Sequence, residues 1–157
     1  MTPHIRKGTK ADLPAVLDLI KELAEYEKAL DEVSITLEAL EADGFGPHPA
    51  YGFIVAEVDE IIVGISFYYI RYSTWKGRFL YLEDFVVKEA YRGKGIGAAL
   101  FEETIRIAKE MDVNGMTWQV LDWNTPALNF YKKYNAHIDA GWLNGKLVKE
   151  QLLNYHC

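Results

Sequence analysis

Tyr81-Leu82-Glu83-Asp84-Phe85-Val86-Val87 is followed, three residues on, by Tyr91-Arg92-Gly93-Lys94-Gly95-Ile96-Gly97-Ala98. The first segment is aromatic and β-branched, and Phe85-Val86-Val87 lacks the alternation of a half-buried strand. It reads as a strand covered on both faces. The second segment is a glycine turn that opens a helix running to about Met111. Glycines at alternate positions let a ligand approach the backbone, and the N–H groups at a helix start favour an anion such as a phosphate. Lys94 comes too early for a P-loop, and no Gly-Lys-Ser/Thr follows. A dinucleotide fold would place its glycines after the first strand, whereas these follow the fourth. An ordinary strand-to-helix turn carries similar glycines, so the turn by itself does not choose between the readings.

The flanking sequence predicts the rest of a mixed α/β domain. His4 to Lys7 reads as a first strand, and Thr9-Lys10-Ala11-Asp12 resembles a capping box with Asp in place of Glu. Leu13, Val16, Leu17, Ile20, Leu23 and Ala24 then form one apolar stripe of a helix reaching about Lys28. A second helix is expected from Leu37 to Asp43, capped by Thr36 and ended by Gly44. Tyr51 to Val58 and Ile61 to Tyr72 read as strands joined by a tight hairpin at Asp59-Glu60, with Phe79 to Val87 as the next strand. Met116 to Leu121 reads as a strand and Thr125 to Tyr134 as a short helix. Asn135 suits a left-handed residue after that helix. The tail is expected to give a strand around Trp142 to Val148 and then a helical turn.

Composition bounds the function. The chain has 157 residues, of which 50% are hydrophobic, 13% aromatic and 25% charged, enough for one domain spanning 1–157 with a real core. Twenty-three acidic against 17 basic residues give a net charge of −6. That sign argues against nucleic acid or an anionic membrane as partner and leaves room for a small cation. The single cysteine, Cys157, has no identifiable partner, and the four histidines lack metal-ligand spacing, so no metal is expected. The start, from Met1 to Lys7, lacks the apolar core of a secretory signal, and the stretch Ile61 to Ile70 is too short to span a bilayer. A cytoplasmic protein without a membrane anchor is the expectation.

The strand, the glycine turn and the downstream Asn124-x-x-Ala127-x-x-Phe130-Tyr131 together resemble the GNAT acetyltransferases. Leu19 to Glu27, Asp43-Gly44-Phe45-Gly46 and Tyr81 to Phe85 are similar to the diamine acetyltransferases within that family. The resemblance implies a twisted, mostly antiparallel mixed sheet with splayed central strands flanked by helices. It implies acetyl-CoA as co-substrate and a homodimer, in which the mixed tail after His137 could exchange between subunits. Phe85, Val86 and Val87 would hold the thioester arm. Arg92, Gly93, Lys94, Gly95, Ile96, Gly97 and Ala98 would cradle the pyrophosphate, with Asn124, Ala127, Tyr131 and Lys133 completing the cofactor side. Asn124 also suits a plain helix cap, and the lysines and arginine suit a solvated face.

Acetylating an alkyl amine has its own demands. With a pKa near 10.4, such an amine is almost all ammonium at pH 7, and freeing its lone pair costs roughly 4–5 kcal/mol. A site must bind a cation and then take a proton from it, work for carboxylates. Glu83 and Asp84 are neighbours on a strand, so only one faces a given pocket unless a bulge re-aims the other. By resemblance Glu83 is the water-relayed base, Asp84 an amine ligand, and Tyr131 the acid that protonates the departing thiolate. A core tyrosine is the plainer reading of Tyr131, and two solvated acids the plainer reading of the pair. No cysteine, serine or histidine has a nucleophile–base arrangement, an inventory that fits direct transfer. Tyr26, Glu27, Trp75, Trp118 and Asp122 complete the amine side by resemblance.

Ser73-Thr74-Trp75-Lys76-Gly77 and Val120-Leu121-Asp122-Trp123-Asn124 resemble the thialysine-acetylating branch. Polyamine-acetylating members carry Asp-Pro where this chain has Ser73-Thr74, and a hydroxyl cannot pair with a second ammonium. Ala140, before Gly141-Trp142, stands where a second acidic contact is usual, in a segment three residues shorter. The expected acceptor is thialysine, a lysine-like amino acid or a small diamine. Polyamines, a protein or peptide amine, and a non-catalytic CoA-binding module are the alternatives.

Overall fold

A computed structural model describes residues 2–156, so Met1 and Cys157, to which the sequence gives no role, lie outside the described residues. The chain divides into two compact units, Met1–Leu121 and Asp122–Cys157.

In the first unit, the apolar runs between residues 52 and 87 form three consecutive strands. These are β2 (Gly52–Val58), β3 (Ile61–Ser73) and β4 (Gly77–Val87). With β1 (His4–Lys7) and β5 (Met116–Trp118) they make one sheet in the order β1-β2-β3-β4-β5. All neighbours are antiparallel except β4 and β5, which are parallel. The hairpin between β2 and β3 turns on Asp59 and Glu60, both left-handed at φ 49° and 64°, the conformation of a two-residue turn matched to strand twist.

Alternate residues of the sheet feed two cores. Phe53, Val55, Ile65, Phe67 and Val86 pack with Leu13, Val16 and Leu19 of α1 (Leu13–Tyr26) and Leu40 of α2 (Leu37–Phe45). Ile54, Ala56, Val58, Val63 and Val87 pack on the other face with Ile96 and Leu100 of α3 (Ile96–Glu110). Thus β2 and the end of β4 are covered on both sides, as Phe85-Val86-Val87 implies. Thr36 caps α2 by accepting a hydrogen bond from the Ala39 N–H at 3.1 Å.

The helix α2 does not stop at Gly44 but continues to Phe45, with Gly46 as its cap. Gly44 is needed for close packing instead, because a Cβ there would lie 2.2 Å from the Tyr51 ring. β5 ends at Trp118 rather than Leu121. Its ladder to β4 covers only Leu80–Met116, Tyr81–Thr117 and Leu82–Trp118.

The second unit holds α4 (Thr125–Lys132) and α5 (Lys149–Asn154). Asn135 follows α4 in the left-handed region, φ 56°. The strand expected over 142–148 does not form, and that segment is irregular and exposed. A strand exists only through a ladder partner, and among the described residues none pairs with it.

One partly buried ion cluster ties the start of the chain to the sheet. Arg6 donates to both Asp12 oxygens, at 2.7 and 2.9 Å, and to Glu57 at 2.9 Å. Asp12 also accepts from the Thr9 N–H at 2.7 Å, the half of the capping box that Asp supplies. The hydrogen-bonded Arg6 guanidinium, helped by Thr9 and opposed by burial, holds the Asp12 carboxyl down at about 2. A carboxyl whose folded pKa lies below its unfolded value stabilises the fold above the unfolded value, and the effect fades as pH falls through the folded one. Asp12→Asn is therefore expected to cost about 2 kcal/mol at pH 7. In urea unfolding the gap to wild type should shrink as pH falls from about 4 toward 2; a constant gap would contradict this origin.

Candidate active site

The site begins at a break in register. Phe67 pairs with Asp84 and Tyr68 with Leu82, which leaves Glu83 as an extra residue on β4. This β-bulge cancels the alternation that would send Glu83 and Asp84 to opposite faces. Asp84 lies opposite Phe67, a member of the core under α1, so it faces the α1 side. Burial pushes the half-buried Asp84 carboxyl up to about 6, and the like charges of Glu83 and Glu27 add to the rise.

Glu27 is brought there by the end of α1. Its N–H donates to the Leu23 carbonyl at 2.9 Å, and the left-handed Lys28, φ 61°, turns the chain so that the Ala29 N–H reaches the Ala24 carbonyl at 2.8 Å. Burial raises the Glu27 carboxyl as well. The sequence-predicted acids Glu27, Glu83 and Asp84 therefore meet. A carboxyl raised to about 6 by burial and two acidic neighbours is suited to receiving a cation and holding a proton.

Beside this cluster the sheet opens. β5 pairs with β4 no further than Leu82, so the ladder on that side stops one residue before the bulge. β4 then leads through a short 3-10 turn, Glu89–Tyr91, into the glycine turn. Gly93 and Gly95 have φ of 73° and 81°, a region that disfavours any side chain. A Cβ added at either meets nothing within 4 Å, so conformation and open access, not packing, call for glycine. Gly95 caps α3, whose first amides, of Ile96, Gly97 and Ala98, have no intrahelical acceptor. The cationic side chains are partly engaged. Arg92 Nε donates to the Val87 carbonyl at 2.9 Å with its guanidinium 5.4 Å from the Tyr26 ring centre, and Lys94 Nζ donates to the Ala90 carbonyl at 3.2 Å. Arg92 thus pins the turn to the end of β4.

Other predicted residues are placed elsewhere. Trp118 pairs with Leu82 and packs edge-on against Phe101 of α3 at 5.5 Å. That is the face of the sheet away from α1, so Trp118 is not grouped with the acids. Trp75 is 84% exposed at the tip of the β3–β4 hairpin, where Ser73 Oγ accepts from the N–H groups of Trp75 and Lys76 at 3.3 and 3.1 Å. In the second unit, Asn124 Oδ1 accepts from the Ala127 N–H at 3.3 Å and caps α4. Tyr131 is buried on that helix, edge-on to Phe130, while Lys133 and Asp122 are exposed. Among the described residues no group of three or more His, Cys, Asp or Glu could hold a metal, and no helix is long and apolar enough to cross a membrane.

Sequence reasoning missed Tyr69, Arg71 and Tyr81, which line the sheet beside Glu83. The Tyr69 and Tyr81 rings lie 5.2 Å apart, and Arg71 stands 5.3 Å from the Tyr81 ring centre. Burial, then Glu83, raises both phenols, and Arg71 opposes. Period-two spacing put these residues on one face of each strand, but only the cross-strand register joins them.

The sequence profile of the Acetyltransferase (GNAT) family matches residues 14–136. The chain is similar to thialysine N-epsilon-acetyltransferase of Bos taurus, 44% identical over 140 residues, 84% of this chain and 82% of the relative. It is 38% identical over 161 residues to spermidine/spermine N(1)-acetyltransferase-like protein 1 of Homo sapiens, covering 96% of this chain and 23% of that longer one. In fold it is similar to an aminoglycoside acetyltransferase from an uncultured soil metagenomic sample, with TM-score 0.78 and 20% identity over 93% of this chain and 97% of that one. With the bulged strand, the opened ladder and the glycine turn in this order, the chain belongs to the GNAT family and is an acetyl-CoA-dependent N-acetyltransferase.

Proposed function

We propose that the protein acetylates the primary amine of a small cationic acceptor, a thialysine- or lysine-like amino acid or a diamine, as a single domain spanning 1–157. The observation that carries this reading is the meeting of Glu27, Glu83 and Asp84 at the β4 bulge, beside the opened ladder. The name of the bovine relative supports the amino-acid acceptor. Ser73 and Thr74, which offer hydroxyls and no charge, weigh against a polyamine.

The open, left-handed Gly93 and Gly95 and the α3 amides fit a diphosphate, so Arg92 to Ala98 would hold the acetyl-CoA pyrophosphate. Phe85, Val86 and Val87 would carry its thioester arm, and Asn124, Ala127, Tyr131 and Lys133 are assigned to the same cofactor. When bound, that thioester supplies the acetyl group and a thiolate leaving group. Asp84 and Glu27, with Tyr26, Trp75 and Asp122, are assigned to the amine, whereas Trp118 stands on the other face of the sheet. Glu83, more exposed than Asp84, takes the ammonium proton through water, and Tyr131 gives one to the departing sulfur.

An assay of CoA release over a panel of amines tests the reading. Thialysine, lysine and small diamines are expected to outrun spermine, and spermine as much the best acceptor would overturn it. Tyr131→Phe is expected to lower kcat by about 10²-fold with little change in acetyl-CoA affinity, the range of a lost general acid. Equal loss of both would make Tyr131 a binding residue.

Asp84 ties activity to stability. Because its folded pKa lies above the unfolded value, it favours folding below about pH 4, and this support is lost as pH rises through about 6. Asp84→Asn is expected to stabilise the protein by about 1–2 kcal/mol at pH 8 and not at pH 4, while reducing kcat/KM. Thermal melts at the two pH values check the sign.

The homodimer is proposed from the tail. Trp142, Leu143 and Leu153 are 78%, 98% and 74% exposed, and Leu147, Leu152 and Tyr155 also face outward. So much apolar side chain in water calls for cover, which a second copy supplies. Light scattering after gel filtration is expected to find a dimer that Leu143→Asp with Leu153→Asp weakens at least tenfold. A wild-type monomer would refute the assignment. The acidic net charge supports an enzyme without nucleic-acid or anionic-membrane partners.

A further inference from the structure

The face of the sheet that carries the acids continues past them. Along β3 the alternation of side chains puts Ile65, Phe67, Tyr69 and Arg71 on one face, and Ile65 and Phe67 are packed in the α1-side core. The register sets Phe67 opposite Asp84, Tyr69 opposite Tyr81, and Arg71 opposite Phe79. Arg71 therefore stands on the same face as Asp84, beyond the Tyr69–Tyr81 pair. Its guanidinium lies 5.3 Å from the Tyr81 ring centre, a stacking distance that holds the planar fork in place. Glu83 and Arg71 both act on Tyr69 and Tyr81, with opposite signs, so the two tyrosines lie between a negative and a positive end. None of the ion pairs among the described residues includes Arg71. Arg6 and Arg106 are paired with carboxylates, while Arg78 and Arg92 donate to the Met111 and Val87 carbonyls.

We propose that Arg71 is a specificity-determining residue, whose guanidinium receives the carboxylate of an amino-acid acceptor while the acceptor's far amine lies at Glu83 and Asp84. A guanidinium matches a carboxylate with two parallel hydrogen bonds and repels a second ammonium. The dimensions agree. Two residues of strand, the step from Tyr81 to Glu83, cover about 6.7 Å, and the five bonds from Cα to Nζ of an extended lysine reach about 6 Å. The same arginine therefore admits a lysine-like amino acid and penalises a diamine or polyamine of equal length. This deepens the proposed function and rests on it.

The test compares acceptors that differ only in the carboxylate: lysine against cadaverine, its decarboxylated form, and lysine against lysine amide. With the wild-type enzyme, kcat/KM is expected to be about tenfold higher for lysine than for lysine amide, through KM. Arg71→Gln is expected to lower the lysine-to-cadaverine kcat/KM ratio about tenfold, and Arg71→Lys to restore part of it. A ratio that stays within twofold, or equal losses on both acceptors, overturns the role of Arg71. If Arg71→Gln fails to fold, the lysine-to-lysine-amide comparison decides on the wild-type protein alone, and equal rates there overturn the proposal. A wild-type enzyme that acetylates none of the three amines refutes the small-amine reading itself, and this inference with it.

Discussion

The bulge at Glu83 is the constraint on which the rest depends. A central strand flanked on both faces by apolar cores has no ordinary position for two adjacent carboxylates, because regular alternation would bury at least one of them unpaired. The extra residue solves this by breaking the register opposite Phe67 and Tyr68. It also marks where the sheet opens, since β5 pairs with β4 as far as Leu82 and no further. One local irregularity thus aims the acids and leads the chain out toward the glycine turn at the head of α3. Had β4 been regular, the sheet would be more uniform and the acids would not meet.

Asp12 and Asp84 show how environment separates identical side chains. Asp12 has little exposed surface, yet the Arg6 fork and the Thr9 amide hold it at about 2. Asp84 has Glu83 and Glu27 for neighbours and is raised to about 6. The first arrangement ties β1, β2 and the start of α1 together and contributes stability. The second forfeits stability at the place where we propose that Asp84 binds the acceptor amine. The molecule's net charge of −6 says little about either, because their effect comes from placement rather than from the sum.

Much was legible along the chain. The apolar stripe from Leu13 to Ala24, the Thr36 cap, the Asp59-Glu60 turn and the strand–glycine–helix order all rest on neighbours within a few residues. Gly44 misled, because its local meaning as a helix stop yielded to the Tyr51 ring that needs its empty side. Trp118 was chosen by resemblance, and the register set it with Phe101 on the opposite face of the sheet. The tail strand was read from apolar residues that have no ladder partner among the described ones.

The sequence by itself determined the element types and their order as far as α4, the family and the pair Glu83-Asp84, because periodicity, caps and glycine turns are written in adjacent residues. Only the tertiary structure decided which way that pair points, that Glu27 joins it from the end of α1, and that Arg71 and the two tyrosines continue the same face. Those facts depend on register between strands and on where a helix ends against a sheet. A single residue of slip changes every facing side chain while leaving the local pattern untouched.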